Sequence, residues 1–275
     1  MIASIKSEWR KNSRRPAFLI AAAGVAVVAI IAYSVNYYEA LHPAAGRDGR
    51  AAVSLLSLYP DEMVNFLVGA AFPLGAALAI VLGAITAGSD FGWGTLKTAL
   101  TQRPGRLAVL AGRVVTFQAW MAVLTLILFA VGGASSVVIA MAEGHSVAWP
   151  PAIDLLKGLG AVWLVLACYG SLGIALGTLF RQPAAAVGIG LIYIVIVQQL
   201  LVRFLSTIGK DTYRGLIDAL DGQNSSSLLQ SFTSPVAAHA PAPPIGSTQA
   251  VMVLALYVVA FVGATMAMMA RRDVG

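Results

Sequence analysis

The residues of this chain best suited to chemistry are few and far apart. Three histidines, His42, His145 and His239, and one cysteine, Cys168, are the usual sources of a metal ligand, a general base or a nucleophile. All three histidines fall in polar segments between apolar stretches, whereas Cys168 and Ser171 lie inside one. A serine nucleophile at Ser171 would need its base in the same apolar layer, and none is there. A lone cysteine excludes a disulfide framework and a multi-cysteine metal site. No GxxxxGK[ST] phosphate loop occurs, so ATP is not bound through that motif. No carboxylate, lysine or histidine falls deep within an apolar stretch, where an ion-coupled carrier would place one. Gln118, Gln198 and Gln199 are the notable polar residues there, and such amides act more often as interhelical hydrogen-bond glue than as ligands. The chain carries no energy source of its own.

The elements that hold these residues are membrane helices. The 275 residues are 59% hydrophobic and 11% charged, against about 45–50% and about 25% in soluble domains. Mean hydropathy is +0.82. Six stretches reach the roughly 20 apolar residues that cross about 30 Å of hydrocarbon: 17–38, 64–87, 114–139, 159–180, 184–202 and 250–270. The first is longer than the about 7–15 apolar residues of a cleaved signal peptide, so it reads as a retained span. The expected fold is an all-α integral membrane protein, a single transmembrane domain over 1–275.

Six spans place both termini on one side, and charge says which. Twelve basic and three acidic residues flank the spans on the terminal side, against six and nine on the other. That side is read as cytoplasmic. The basic excess is thereby explained by topology, and no nucleic-acid partner is needed.

Three connecting segments carry further signals. Residues 1–16 place Ile2, Ile5 and Trp9 at helical spacing, with Lys6, Arg10 and Lys11 around the rest of the wheel. This fits an interfacial elbow helix against membrane lipid; the alternative is a disordered basic flank. In the cytoplasmic segment 88–113, Thr95 can cap a short helix over 96–102 that Pro104 and Gly105 close. Leu96, Ala99 and Leu100 make its apolar face, and Lys97, Arg103 and Arg106 a basic one. Such a helix suits a groove in a partner, or else the lipid interface alone. The long outer stretch 203–249 reads as a loop with a short amphipathic helix over 211–220, a polar turn over 223–227 and a proline-rich run over 235–244. Asn224, Ser225 and Ser226 match a glycosylation sequon.

Small residues mark helix contacts within the membrane. Ala71, Gly75, Ala79, Gly83 and Ala87 recur every four positions in the second span. Gly173 and Gly177 form GxxxG in the fourth, and Ala184 with Gly188 and Ala186 with Gly190 repeat the spacing in the fifth.

Several short blocks carry a resemblance. Ser7, Glu8, Trp9 and Lys11 before the first span, and Asp90-Phe91-Gly92-Trp93-Gly94-Thr95-Leu96-Lys97 followed by Thr101–Pro104, Arg106 and Arg113, resemble actinobacterial permeases of type-2 ABC exporters. So do Ala175-Leu176-Gly177-Thr178-Leu179-Phe180-Arg181 and the ending Arg271-Arg272-Asp273. Gly92 stands where that family carries a second acidic residue. The resemblance implies a six-span permease subunit in a bacterial cell membrane, paired with a second copy or a sister permease. It also implies separate cytoplasmic ABC ATPase subunits that carry the ATP and magnesium, with no cofactor in this chain. The coupling role would fall on Asp90, Trp93, Gly94, Thr95, Leu96, Lys97, Leu100, Arg103, Pro104 and Arg106, and the elbow role on Ile5, Glu8, Trp9 and Lys11. Apart from the resemblance, a non-transporting scaffold or sensor that docks a cytoplasmic partner is the alternative.

Overall fold

A segment in lipid must satisfy its own backbone N–H and C=O groups, so the apolar stretches fold as helices. The computed structural model describes residues 2–14, 16–42, 55–92, 106–209, 212–232 and 243–271, and no strand occurs among them. In chain order the helices are α1 (Ile2–Ser13), α2 (Pro16–Leu41), α3 (Met63–Ala70), α4 (Leu74–Gly92), α5 (Arg106–Ala142) and α6 (Ala152–Phe180). Then come α7 (Pro183–Ile192), α8 (Gln198–Gly209), α9 (Arg214–Ala219), α10 (Asp221–Gln230) and α11 (Ser247–Arg271). A π-helical turn, Tyr193–Val197, joins α7 to α8 into one long span. Among the described residues five helices are long and apolar enough to cross a membrane, or six if the bent pair α3–α4 counts as one span.

The second crossing departs from the sequence expectation. An uninterrupted helix over 64–87 is replaced by two helices that meet at 60°. Pro73, at the break, has no N–H to give and its ring displaces the preceding turn. The fourth crossing starts earlier than expected, at Ala152 directly after Pro151, and the third runs from Arg106 to Ala142. Between the fourth and fifth, Arg181 closes α6 in a left-handed conformation (φ 55°), its N–H bonded to the Gly177 carbonyl at 3.1 Å. Pro183 then opens α7.

The two ends of the bundle are fixed by specific contacts. At the near face, which carries α1 and the turn at Arg181, Glu8 approaches Arg113 at 4.0 Å and Gly88 lies against Pro183. At the far face Tyr59 stacks on His145 (4.0 Å between centroids), and the Tyr37 hydroxyl donates to Glu143. The core lies between α4 and α6, around Ile80, Leu124, Val162, Tyr169 and Ile174. By contrast α2 shows Ile20, Val27, Val28 and Ile31 on its outer surface, the pattern of a helix bordered by lipid.

The stretch 203–249 is the largest departure. In place of a loop, α8 continues to Gly209, α9 follows, and α10 turns back into the bundle against α11, α6 and α3. Residues 223–227, expected as an exposed polar turn, lie inside α10, where Asn224, Ser225 and Ser227 are fully buried. Burial also removes Asn224 from the reach of a glycosylating enzyme, which needs an exposed loop.

Candidate functional site

Of the residues given a coupling role, Trp93, Gly94, Thr95, Leu96, Lys97, Leu100, Arg103 and Pro104 lie outside the described residues. Asp90 belongs to the last turn of α4, and Arg106 opens α5. Within α1, which also contains Ile5 and Lys11, the two described elbow residues both meet α5. Trp9 stacks on Trp120, with centroids 5.2 Å apart, and Phe18 closes on the same ring from α2 at 5.2 Å. Glu8 and Arg113 are both buried at this junction, as is Asn12. Through Glu8, Trp9 and Asn12, α1 is docked on the bundle.

The small-residue positions divide into two groups. A Cβ built on Gly83 would strike the Gly170 carbonyl, and one on Gly173 would strike that of Ile80. Gly177 lies likewise against Ala84 and Ala87, and Ala79 is buried. These residues bring the main chains of α4 and α6 into contact, which side chains of any size would prevent. Ala71 and Gly75 instead line an apolar cavity of about 520 Å³ between α2 and α4, with Leu166 nearest to Gly75. In the fifth span Ala186 and Gly190 are buried, the latter against Ile80, whereas Ala184 and Gly188 face outward. Half of that repeated spacing is a contact and half is surface.

Several polar side chains within the bundle are tied to one another or to carbonyls. Gln118 on α5 donates to Ser171 Oγ at 2.8 Å, and Ser171 in turn donates to the Ala167 carbonyl. The Trp163 indole N–H donates to the Gln118 carbonyl at 3.1 Å. At the far face a second cavity of about 700 Å³ has mixed walls, with Asp61, Asn65, Asp154 and Lys157 opposite Phe232, Val251 and Met252. No group of three His, Cys, Asp or Glu residues placed to hold a metal occurs among the described residues.

One site went unread in the sequence. Asp221, the first residue of α10, is fully buried. Its Oδ1 accepts from the Tyr193 hydroxyl at 2.6 Å and from Gln198 Nε2 at 2.9 Å. Gly222 lies against the Gln198 carboxamide, so closely that a Cβ there would collide. Burial pushes the Asp221 carboxyl above the usual aspartate range, against the opposing pull of Tyr193, Tyr169 and the backbone N–H groups of Asp221 and Gly222. The π turn supplies the geometry, since its extra residue sets Tyr193 and Gln198 toward α10.

The helices that build the near face, α1, α4, α5 and α6, fall within the stretch of chain that a family model covers. The model of the ABC-2 family transporter protein matches residues 4–197. The chain belongs to the ABC-2 transporter family. No curated protein matches it. It is therefore a multi-pass membrane permease subunit of an ABC transporter, a component that is not itself catalytic and that works with an ATP-binding subunit. The match runs from within α1 to the end of the π turn, and α8 to α11 follow beyond it.

Proposed function

We propose that this permease serves an ATP-driven exporter of a bacterial cell membrane, with both termini cytoplasmic. Two permeases, two copies or this chain and a sister, enclose the substrate path, and paired cytoplasmic ATPases bind the ATP and magnesium. The segment over 94–106 carries force from the ATPase to the spans, and α1 braces the bundle beside it as an elbow. Membrane lipid surrounds the assembly.

The observation that best supports this reading is the family match together with the tether of segment 93–105 between α4 and α5. Both of those helices are fastened at the near face, α4 through Gly88 to Pro183 and α5 through Arg113 and Trp120 to α1. A push on the segment is thus delivered to packed helices. The charge imbalance between the two faces supports the cytoplasmic side.

The experiment is co-purification with its ATP-binding subunit, together with transport and hydrolysis rates, for Leu100→Glu and Lys97→Glu. Leu100→Glu is expected to lose the ATPase and uncouple transport, since a buried leucine contributes about 1.5–3 kcal/mol. Lys97→Glu is expected to act mildly and with salt dependence, because an exposed pair contributes about 1 kcal/mol or less. Full ATPase retention and coupled transport in Leu100→Glu would refute the coupling role.

A further inference from the structure

The sequence carries no carboxylate within a span, yet the fold brings one to mid-span depth. Asp221 meets Tyr193, and Gln198 also donates to the Tyr169 hydroxyl at 3.4 Å. At about 1.5 Å per residue, Tyr169 is roughly 16 Å from the Phe180 end of α6 and Tyr193 roughly 15 Å from Pro183. Both distances are about half of a 30 Å hydrocarbon layer. An ionisable group at that depth marks a functional site by default.

No counter-charge is at hand. Among the described residues no lysine, arginine or histidine pairs with Asp221, and its Oδ2 is buried without a hydrogen-bond partner. The titratable groups that face it are Tyr193 from the π turn, Cys168 and Tyr169 from α6, and Tyr257 from α11. All are neutral in their ordinary range below about pH 8. On α9, Arg214 and Asp218 pair with each other at 3.7 Å, with Arg214 on the outer surface. Neither α3 nor the rest of α10 carries a titratable residue. A carboxylate so enclosed would neutralise rather than stay charged.

We propose that Asp221 is a proton-exchange site of the permease: the carboxyl holds a proton while α10 is seated against the π turn and α6, and yields it to water when α10 withdraws. In that step the carboxyl O–H bond breaks, the electron pair stays on the carboxylate, and water takes the proton. Seating and ionisation exclude one another, so proton concentration sets how tightly α10 is held. The exchange needs no ATP-binding subunit and stands apart from the direction of transport.

The test uses the full chain in lipid nanodiscs. Infrared spectra of wild type and Asp221→Asn are compared from about pH 5 to about pH 9. A protonated-carboxyl C=O band is expected in wild type at neutral pH, absent from the variant and titrating above the ordinary aspartate range. Cys168, the one cysteine and fully buried near Asp221, reports seating without added labels. At about pH 9 its reaction with a water-soluble maleimide is expected to be at least tenfold faster in wild type than in Asp221→Asn, with both protected at about pH 5. Should Asp221→Asn fail to fold, the wild-type band and labelling over the same pH series remain decisive. Absence of the band at neutral pH, or maleimide labelling of wild type that does not rise beyond the thiol's own ionisation, would overturn the proposal. A sodium-dependent carboxylate signal in place of the band would overturn it equally.

Discussion

Gly173 of α6 lies so close to the carbonyl of Ile80 on α4 that no side chain, however small, fits between them. Gly83 stands in the same relation to Gly170. Gly173→Ala and Gly83→Ala should each force the helices apart, at about 1–3 kcal/mol. Gly24→Ala and Gly188→Ala are the controls, because nothing lies within 4 Å of a Cβ at either position. Those two should be neutral or gain roughly 0.5–1 kcal/mol from helix propensity. Thermal unfolding in detergent separates the pairs, and equal behaviour of all four would show that the contact does not limit stability.

Gly75 calls for a different expectation although it belongs to the same four-residue repeat. Its nearest neighbour is the flexible Leu166 side chain, and it opens on the 520 Å³ cavity. Gly75→Leu should therefore be tolerated, with folded yield close to wild type, where Gly83→Leu abolishes it. Size-exclusion profiles of the two variants are the check.

The repeat shows how far the sequence reaches. Five of the six expected spans meet a helix long and apolar enough to cross a membrane, whereas the small residues marked helix contacts only in part. Which small residues touch depended on the 60° bend at Pro73, a proline visible in the sequence but read through as part of a single span. The α10 site left no such trace. Its buried residues run through Asp221, Asn224, Ser225, Leu228 and Leu229 at helical spacing, but the first three are polar, so hydropathy does not mark that end as interior. The coupling segment was read from its amphipathic spacing and from resemblance to a family, and its residues from Trp93 to Pro104 lie outside those described.

Trp9 and Trp120 should behave as one unit. A double-mutant cycle of Trp9→Ala and Trp120→Ala is expected to show coupling of about 0.5–1.5 kcal/mol, the usual contribution of an aromatic pair. Additive losses would mean that α1 is held by other contacts, the Glu8–Arg113 approach among them.

Gln118→Leu removes the hydrogen bond from α5 to Ser171. Such bonds within membranes contribute about 0.6 kcal/mol on average and less than about 2 at most. A small fall in thermal stability with unchanged transport is expected. Loss of transport at full stability would make Gln118 a ligand rather than glue.

Asp221 predicts the sign of a pH dependence. An aspartate titrates near 3.8 when exposed, and burial raises this one in the folded state. Above about 3.8 the unfolded chain releases the proton while the folded chain keeps it, so stability falls as pH rises through the window up to the folded value and is flat beyond it. Asp221→Asn should lack that slope and be the more stable protein at about pH 8. Parallel melting curves of the two proteins across pH would contradict the burial of a neutral carboxyl.

The 37 residues of α5 make a rod about 55 Å long in a hydrocarbon layer of about 30 Å. Such a rod acts as a lever whose fulcrum is the packed middle around Phe117, Met121 and Leu124. One arm ends at Arg106, where segment 93–105 joins it, and the other at Ala142, beside the Tyr59–His145 stack. A tilt about that fulcrum moves the two ends in opposite directions, so displacement on one side of the membrane is inverted on the other without any helix changing its fold.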